Sequence, residues 1–367
     1  MSDLRDLNPV VYDTSMEKSE PDETGTSEKL THTIEQISHT TTKDYGHAVR
    51  ALHAKSHALL QGTLTVLDGL PPVLAQGMFA RPGAHRTVMR ISTGPGDVLP
   101  DSISSPRGMA FKVFDVEGER LPGSPAANTQ DFLFASGPVF GAPDARHFAP
   151  MLALLGKTVD KAEGLKKVAS ALLQALEGAI EGLGGHSGAV QALGGKPNTN
   201  PLNETYYSQT PFLYGRNIAK LSLVPVSENL LALKGKLIHP HGRPNALREE
   251  IGEVLSSSSA VWELRVQLCT DLAKMPLENA AVQWDEKASP FWTVARLEVG
   301  PQPAWTEARA KIVDDALAFD VWHGLAAHRP LGSINRVRQM VYARSSGMRR
   351  ELNGCPMQEP KSVDLEK

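Results

Sequence analysis

Apolar and polar positions divide the chain into short alternating stretches and a few helical ones. Residues 261–270 alternate most plainly. Trp262, Leu264, Val266 and Leu268 fall on one side and Glu263, Arg265 and Gln267 on the other, as in a strand with one dry and one wet face. Similar stretches at His85–Thr93, Gly108–Val116, Gln130–Ala135, Asn217–Val226 and Phe291–Val299 also predict strands, with turns at Gly94–Pro95–Gly96 and Pro122–Gly123. Helical spacing covers Ala48–Leu60, ended by Gly62. It covers Leu165–Leu183 as well, where Leu165, Val168, Leu172, Leu173, Leu176, Ile180 and Leu183 recur at three and four. Gly184–Gly185 opens a Gly- and Asn-rich loop reaching Pro201. Thr306 caps a predicted helix to about Ala326, and an Arg-rich helix is predicted over Ser333–Glu351. The strands cluster without βαβ alternation, which predicts an α+β fold.

Residues 1–43 are rich in Ser, Thr, Asp, Glu and Lys and show little periodicity. They predict a mobile arm, or one that orders against another subunit. The remainder is expected to form one folded unit over residues 44–355, followed by a tail over 356–367. In 367 residues the net charge is −3, which gives no reason to expect a nucleic-acid partner. Cys269 and Cys355 supply neither a disulfide framework nor a zinc site and fit a reducing compartment. The N-terminus has no apolar signal segment, and no run of about 18 apolar residues predicts a membrane span. These features together predict a cytoplasmic location.

Most standard motifs are absent: no G-x-G-x-x-G after a strand, no phosphate loop, no H-E-x-x-H and no G-x-S-x-G. His53 and His57 would lie one turn apart on the predicted Ala48–Leu60 helix, but no third metal ligand follows at a useful spacing. Five fragments do recur in a meaningful order. They are Arg50-Ala-Leu-His53-Ala-Lys55, Arg90-Ile-Ser92-Thr93, Pro106-Arg107-Gly108-Met-Ala-Phe-Lys112, Gly137-Pro138-Val-Phe140, and Arg338-Gln-Met-Val-Tyr342 with Arg349 seven residues on.

In these fragments the chain resembles the haem catalases, and its short C-terminal end resembles the catalase-related peroxidases. The resemblance implies a catalase-like antiparallel β-barrel with flanking α-helices, binding haem b. It implies Tyr342 as the proximal iron ligand and only metal-ligating residue, with Arg338 favouring its phenolate one helical turn away. It implies His53 as the distal acid–base residue, oriented by the Ser92 hydroxyl, since imidazole can both take and return a proton near neutral pH. Arg50, Arg90 and Arg349 would meet the haem propionates, because a permanent planar cation suits a carboxylate. Phe140 and Phe148 would line the distal pocket and haem face. Taken without the resemblance, each of these residues has an ordinary reading as a core aromatic, a strand-end serine or a solvated cation.

The chain departs from the family at three places. Ala135 and Ser136 stand where catalases carry an asparagine pair, so the amide that orients hydrogen peroxide is missing. Leu52 replaces the usual Val, and also the Thr of allene oxide synthases. Ser56 replaces the Gly of H-A-K-G. The expected function is therefore a peroxidase acting on organic hydroperoxides, with weak catalase activity on hydrogen peroxide and a small organic reductant as co-substrate. The alternatives are a fatty-acid hydroperoxide lyase or isomerase of the allene oxide synthase type, a haem-binding protein with little turnover, and a barrel that binds no haem. A homo-oligomer, dimer or tetramer, is expected, and NADPH binding is not.

Overall fold

The computed structural model describes residues 7–124, 128–157, 159, 198–354 and 360–365. Nine strands form one antiparallel sheet: β1 Ser56–Val66, β2 Gly83–Thr93, β3 Arg107–Phe114, β4 Thr129–Ala135, β5 Tyr206–Tyr207, β6 Phe212–Tyr214, β7 Asn217–Pro225, β8 Ala260–Leu268 and β9 Trp292–Val299. Each of β1 to β4 pairs with the next, and β9 pairs back to β1. The two-residue β5 bridges β4 and β7 and closes the ring as an eight-stranded barrel, with β6 an extra strand on β7. The helices are α1 Glu23–Tyr45, α2 Ala145–Gly156, α3 Glu228–Leu231, α4 Ala246–Leu255, α5 Glu307–Ala310 and α6 Ser333–Asn353. This is the α+β fold that the strand pattern predicts and the barrel with flanking helices that the resemblance implies.

Strand parity decides what faces where. Met89, Ile91, Met109, Phe111, Phe132 and Phe134 point into the barrel, where they join Leu221, Leu223, Trp262, Leu264, Val266 and Leu297 in one buried cluster. The alternate residues of the same strands, Arg90 and Ser92, Gly108 and Ala110, Leu133 and Ala135, share the outer face, since Arg90 pairs Ala110, Ser92 pairs Gly108 and Gly108 pairs Ala135. Helices α1, α2 and α6 pack over that face around a second apolar cluster containing Leu30, Ile34, Ile37, Leu152, Ile334, Val337 and Val341.

Several expectations are corrected. Ala48–Leu60 is not a helix: residues 50–55 are loop, and β1 begins at Ser56. Its first five residues are buried on both faces, so the apolar run lacks the alternation that marks a half-exposed strand. His53 and His57 consequently share no helix face.

The polar N-terminal segment is not a free arm either. Val10 and Tyr12 donate backbone hydrogen bonds to Cys269 and Arg216, and α1 docks on α2 and α6 through Leu30, Ile34 and Ile37. Its buried Thr33 and Thr41 satisfy their hydroxyls on carbonyls four residues back, so a hydroxyl-rich helix can still bury a face. The helix capped by Thr306 runs only four residues before widening into a π-helical turn at Lys311–Asp315. The helix predicted at Leu165–Leu183 and most of the loop after it lie outside the described residues, as does Cys355. No described helix is long and apolar enough to cross a membrane.

Candidate functional site

A cavity of about 450 Å³ lies between the outer face of β2–β4 and the three packed helices. All nine residues singled out from the sequence line it: Arg50, His53, Arg90, Ser92, Phe140, Phe148, Arg338, Tyr342 and Arg349. They come from the loop before β1, from β2, from the segment between β4 and α2, from α2 and from α6, so only the fold brings them together.

His53 sits in the loop with a left-handed backbone, φ 55°. Two hydrogen bonds to the loop after β2 hold that conformation, His53 N–H to the Gly94 carbonyl at 2.9 Å and Ala54 N–H to that of Pro95 at 3.0 Å. Its Nδ1 is 3.1 Å from the Ser92 hydroxyl oxygen, which leaves Nε2 without a hydrogen-bond partner among the described residues. Gly108 makes the ring's seat possible. A Cβ there would come within 2.6 Å of His53 Cε1 and 2.7 Å of Nδ1. Burial, then the positive charges of Arg90, Arg338 and Arg50, lower the His53 pKa to about 4. The imidazole is therefore neutral at pH 7 and able to accept a proton.

On the opposite wall, α6 presents Ile334, Val337, Arg338, Val341, Tyr342 and Arg349 to the cavity, a stripe at helical spacing. The Tyr342 hydroxyl makes no hydrogen bond to a described residue. Arg338 bonds neutral groups rather than Tyr342. It donates to Asn335 Oδ1 at 3.0 Å and Thr210 Oγ1 at 3.4 Å, and its guanidinium lies 5.6 Å from the centre of the Phe140 ring. Phe140 meets Phe148 edge to face at 4.9 Å. Asn335 is locked in turn, its amide nitrogen donating to the carbonyls of Pro211 and Leu331.

The remaining guanidiniums cluster at one end. Arg50 donates to the carbonyls of Val313, Asp314 and Leu317, and Arg349 donates to Leu317 as well. Arg90 Nε donates to Asp314 Oδ1 at 2.6 Å. Burial first, then the nearby charges of Arg349 and Arg90, push the Arg50 pKa well below its ordinary value. These carbonyls belong to the π-helical turn and the residues just after it, so the widened turn serves as the arginine anchor.

Asp314 was not visible in the sequence: no motif contains it, and one of two adjacent aspartates after a capped helix gives no signal. Thr210 and Gln209 were missed for the same reason. Gln209 lines the cavity with a left-handed backbone, φ 62°, and its amide nitrogen bonds the carbonyls of Gly137 and Val139. Asn335, three residues before Arg338 on one helix, could have been found by spacing.

At the expected amide position Ala135 lines the cavity, while Ser136 is buried against β3 and accepts a hydrogen bond from Arg107 N–H. His57 does not reach the cavity. It is buried on β1 with its Nε2 3.2 Å from Thr93 Oγ1. Among the described residues no group of three or more His, Cys, Asp or Glu could hold a metal ion.

No protein-family model matches the chain, and no curated protein sequence matches it. Solved structures do match in fold. A fungal catalase aligns with TM-score 0.55 at 16% identity over 89% of this chain and 70% of its own. A bacterial catalase aligns with TM-score 0.55 at 14% identity over 90% and 64%, so this chain spans less than two thirds of it. Catalase A from Saccharomyces cerevisiae aligns with TM-score 0.55 at 15% identity over 89% and 72%. The fold is catalase-like.

Proposed function

We propose that the cavity holds haem b and that the protein is an oxidoreductase acting on peroxides, foremost on organic hydroperoxides with a small organic electron donor. The observation that carries this reading is the seating of a neutral, Ser92-bonded imidazole in the same cavity as an unpartnered phenol. The cavity chemistry fits the group. Its walls are apolar on the helix side, guanidiniums gather at one end, and a glycine leaves room for the imidazole. Tyr342 would ligate the iron, Arg50, Arg90 and Arg349 would meet the propionates, and Phe140 and Phe148 would pack against the ring. Haem, when bound, supplies the redox chemistry that splits a peroxide.

The chain's own part is proton handling. His53 Nε2 takes the proton from the hydroperoxide and returns it to the leaving oxygen, so that an alcohol or water departs rather than an anion. Ser92 holds Nδ1 and keeps Nε2 directed at the cavity. Burial, helped by the neighbouring guanidiniums, keeps the ring neutral, ready for the first transfer. Since Ala135 and Ser136 supply no amide, hydrogen peroxide lacks an orienting partner at that place. A bulkier hydroperoxide can instead orient through its own contacts with the apolar wall.

Purified, haem-loaded protein is to be assayed with hydrogen peroxide, cumene hydroperoxide and a lipid hydroperoxide, each with and without an electron donor. Donor-dependent turnover, faster with cumene hydroperoxide than with hydrogen peroxide, is the expected result. Donor-independent conversion of the lipid hydroperoxide to an epoxide or ketol would assign a lyase instead. No consumption of any peroxide would leave a haem carrier.

A further inference from the structure

Asp314 is the one carboxylate within ion-pair distance of both Arg50 and Arg90 among the described residues. Its Oδ1 lies 2.6 Å from Arg90 Nε and 3.5 Å from Arg50 Nη1. Its Oδ2 accepts from the Ser56 hydroxyl at 2.7 Å. That hydroxyl in turn accepts from the Trp305 indole N–H at 2.9 Å, and the Arg248 guanidinium stacks 3.6 Å from the centre of the Trp305 ring. An indole N–H can only donate, so the single Ser56 proton is committed to Asp314. Both carboxylate oxygens are thereby fixed from behind the cavity.

The consequence falls on Arg90. Its Nε edge is bound to Asp314 and one Nη2 proton to the Ala54 carbonyl, whereas Nη1 makes no hydrogen bond among the described residues. Arg90 and Arg50 both line the cavity. A guanidinium pinned along one edge presents its other edge in a set plane, and forked recognition of a carboxylate requires that arrangement. Burial raises the pKa of Asp314, but the charges of Arg90 and Arg50 and the hydrogen bonds from Ser56 and Arg90 outweigh it. The group stays below its ordinary value and ionised at neutral pH.

We propose that Asp314 is a positioning residue, which aims Arg90 and Arg50 at the carboxylates of the cavity's ligand. This rests on the haem reading of the cavity, and it goes beyond that reading in assigning the preference for a free carboxylate to a residue that touches no ligand.

The test compares the affinity of the haem-free protein for ferric protoporphyrin IX and for its dimethyl ester, which has no free carboxylate, read by absorption titration. The native protein should prefer the diacid. Asp314→Asn should shrink that preference about tenfold, the size of a charge-assisted hydrogen bond, and leave diester affinity unchanged. Asp314→Glu should restore part of it. Ser56→Ala, which removes only the support of Oδ2, should shrink it about two- to threefold.

An undiminished preference in Asp314→Asn, or an equal loss for diacid and diester, overturns the proposal. If Asp314→Asn does not fold, an undiminished preference in Ser56→Ala overturns it. A native protein that binds neither porphyrin overturns the haem reading and this proposal with it. A native protein that binds the diacid tightly while Asp314→Asn keeps its preference overturns this proposal alone.

Discussion

Two regions of the barrel wall treat buried cations in opposite ways. Away from the cavity lining, Lys112 is buried against both oxygens of Asp131 at 2.7 and 2.9 Å, a cation with a carboxylate of its own. Lys55 is treated alike, with Asp101 at 2.6 Å and the carbonyls of Leu99 and Pro244 completing its three donors. At the cavity end, Arg50 and Arg90 share the carboxylate of Asp314, the one within ion-pair distance of both among the described residues. Buried charge is costly unless matched, so a balanced pair is a finished structural element and an excess of cation is a place for an anion. The difference separates scaffold from site within the same strands: Lys112 and Gly108 are both on β3, and Arg90 is on β2 beside them.

The contrast can be broken or sharpened by substitution. His53→Ala should leave the fold intact and slow peroxide cleavage by about 10²–10⁴-fold, the usual size of an acid–base contribution. Stopped-flow rates with cumene hydroperoxide measure it, and retained rates would mean another group moves the proton.

Asp131→Ala, in the balanced region, should cost about 3–5 kcal/mol of stability by removing the carboxylate buried against Lys112. Denaturant melts of the haem-free protein give the value, and a loss as small as that of an exposed pair would erase the contrast. Gly108→Ala should cost about 1–3 kcal/mol through overpacking against the His53 ring. The same melts check it, and slower peroxide cleavage should accompany the loss.

The pH dependence is a subtler test. The pKa of His53 is lowered to about 4 in the folded protein, against about 6.5 for a free imidazole. The proton acceptor is therefore present throughout the neutral range and is lost as pH falls through about 4. Peroxide cleavage should be level from about pH 6 to 8, whereas a rate that climbs through about 6.5 would mean an ordinary, solvated histidine. His328 carries the same sign for stability. Burial lowers its pKa to about 4, and its Nε2 accepts a hydrogen bond from Met78 N–H at 3.0 Å. Its contribution is complete above the unfolded value and is lost as pH falls through about 4, which melts between pH 7 and 4 would register.

Much of the molecule was legible because its signals are local. The strands from β2 to β4 and from β7 to β9 follow from alternation, and α6 from its spacing. The nine candidate residues were identified by motif order and the fold gathers them in one cavity, although their spacing along the chain says nothing of that proximity. What escaped depends on context. β1 starts buried on both faces and reads as an undivided apolar run. α1 hides a three-residue apolar stripe among hydroxyls that bond their own backbone. The π-helical turn at Lys311–Asp315 offers carbonyls to Arg50, a partner more than 260 residues away in sequence. Asp314 belongs to the same class, since its meaning comes wholly from the two arginines it meets.

The central claim is that the cavity holds one porphyrin, with Tyr342 the residue that would ligate its iron and His53 the residue that would handle the peroxide proton. The absorption and magnetic circular dichroism spectra of the ferric, haem-loaded protein and of Tyr342→Phe test it directly. The expected result is a high-spin, phenolate-ligated ferric spectrum in the native protein that is lost in the variant. A native protein with no Soret band, or a variant whose spectrum matches the native one, would contradict it.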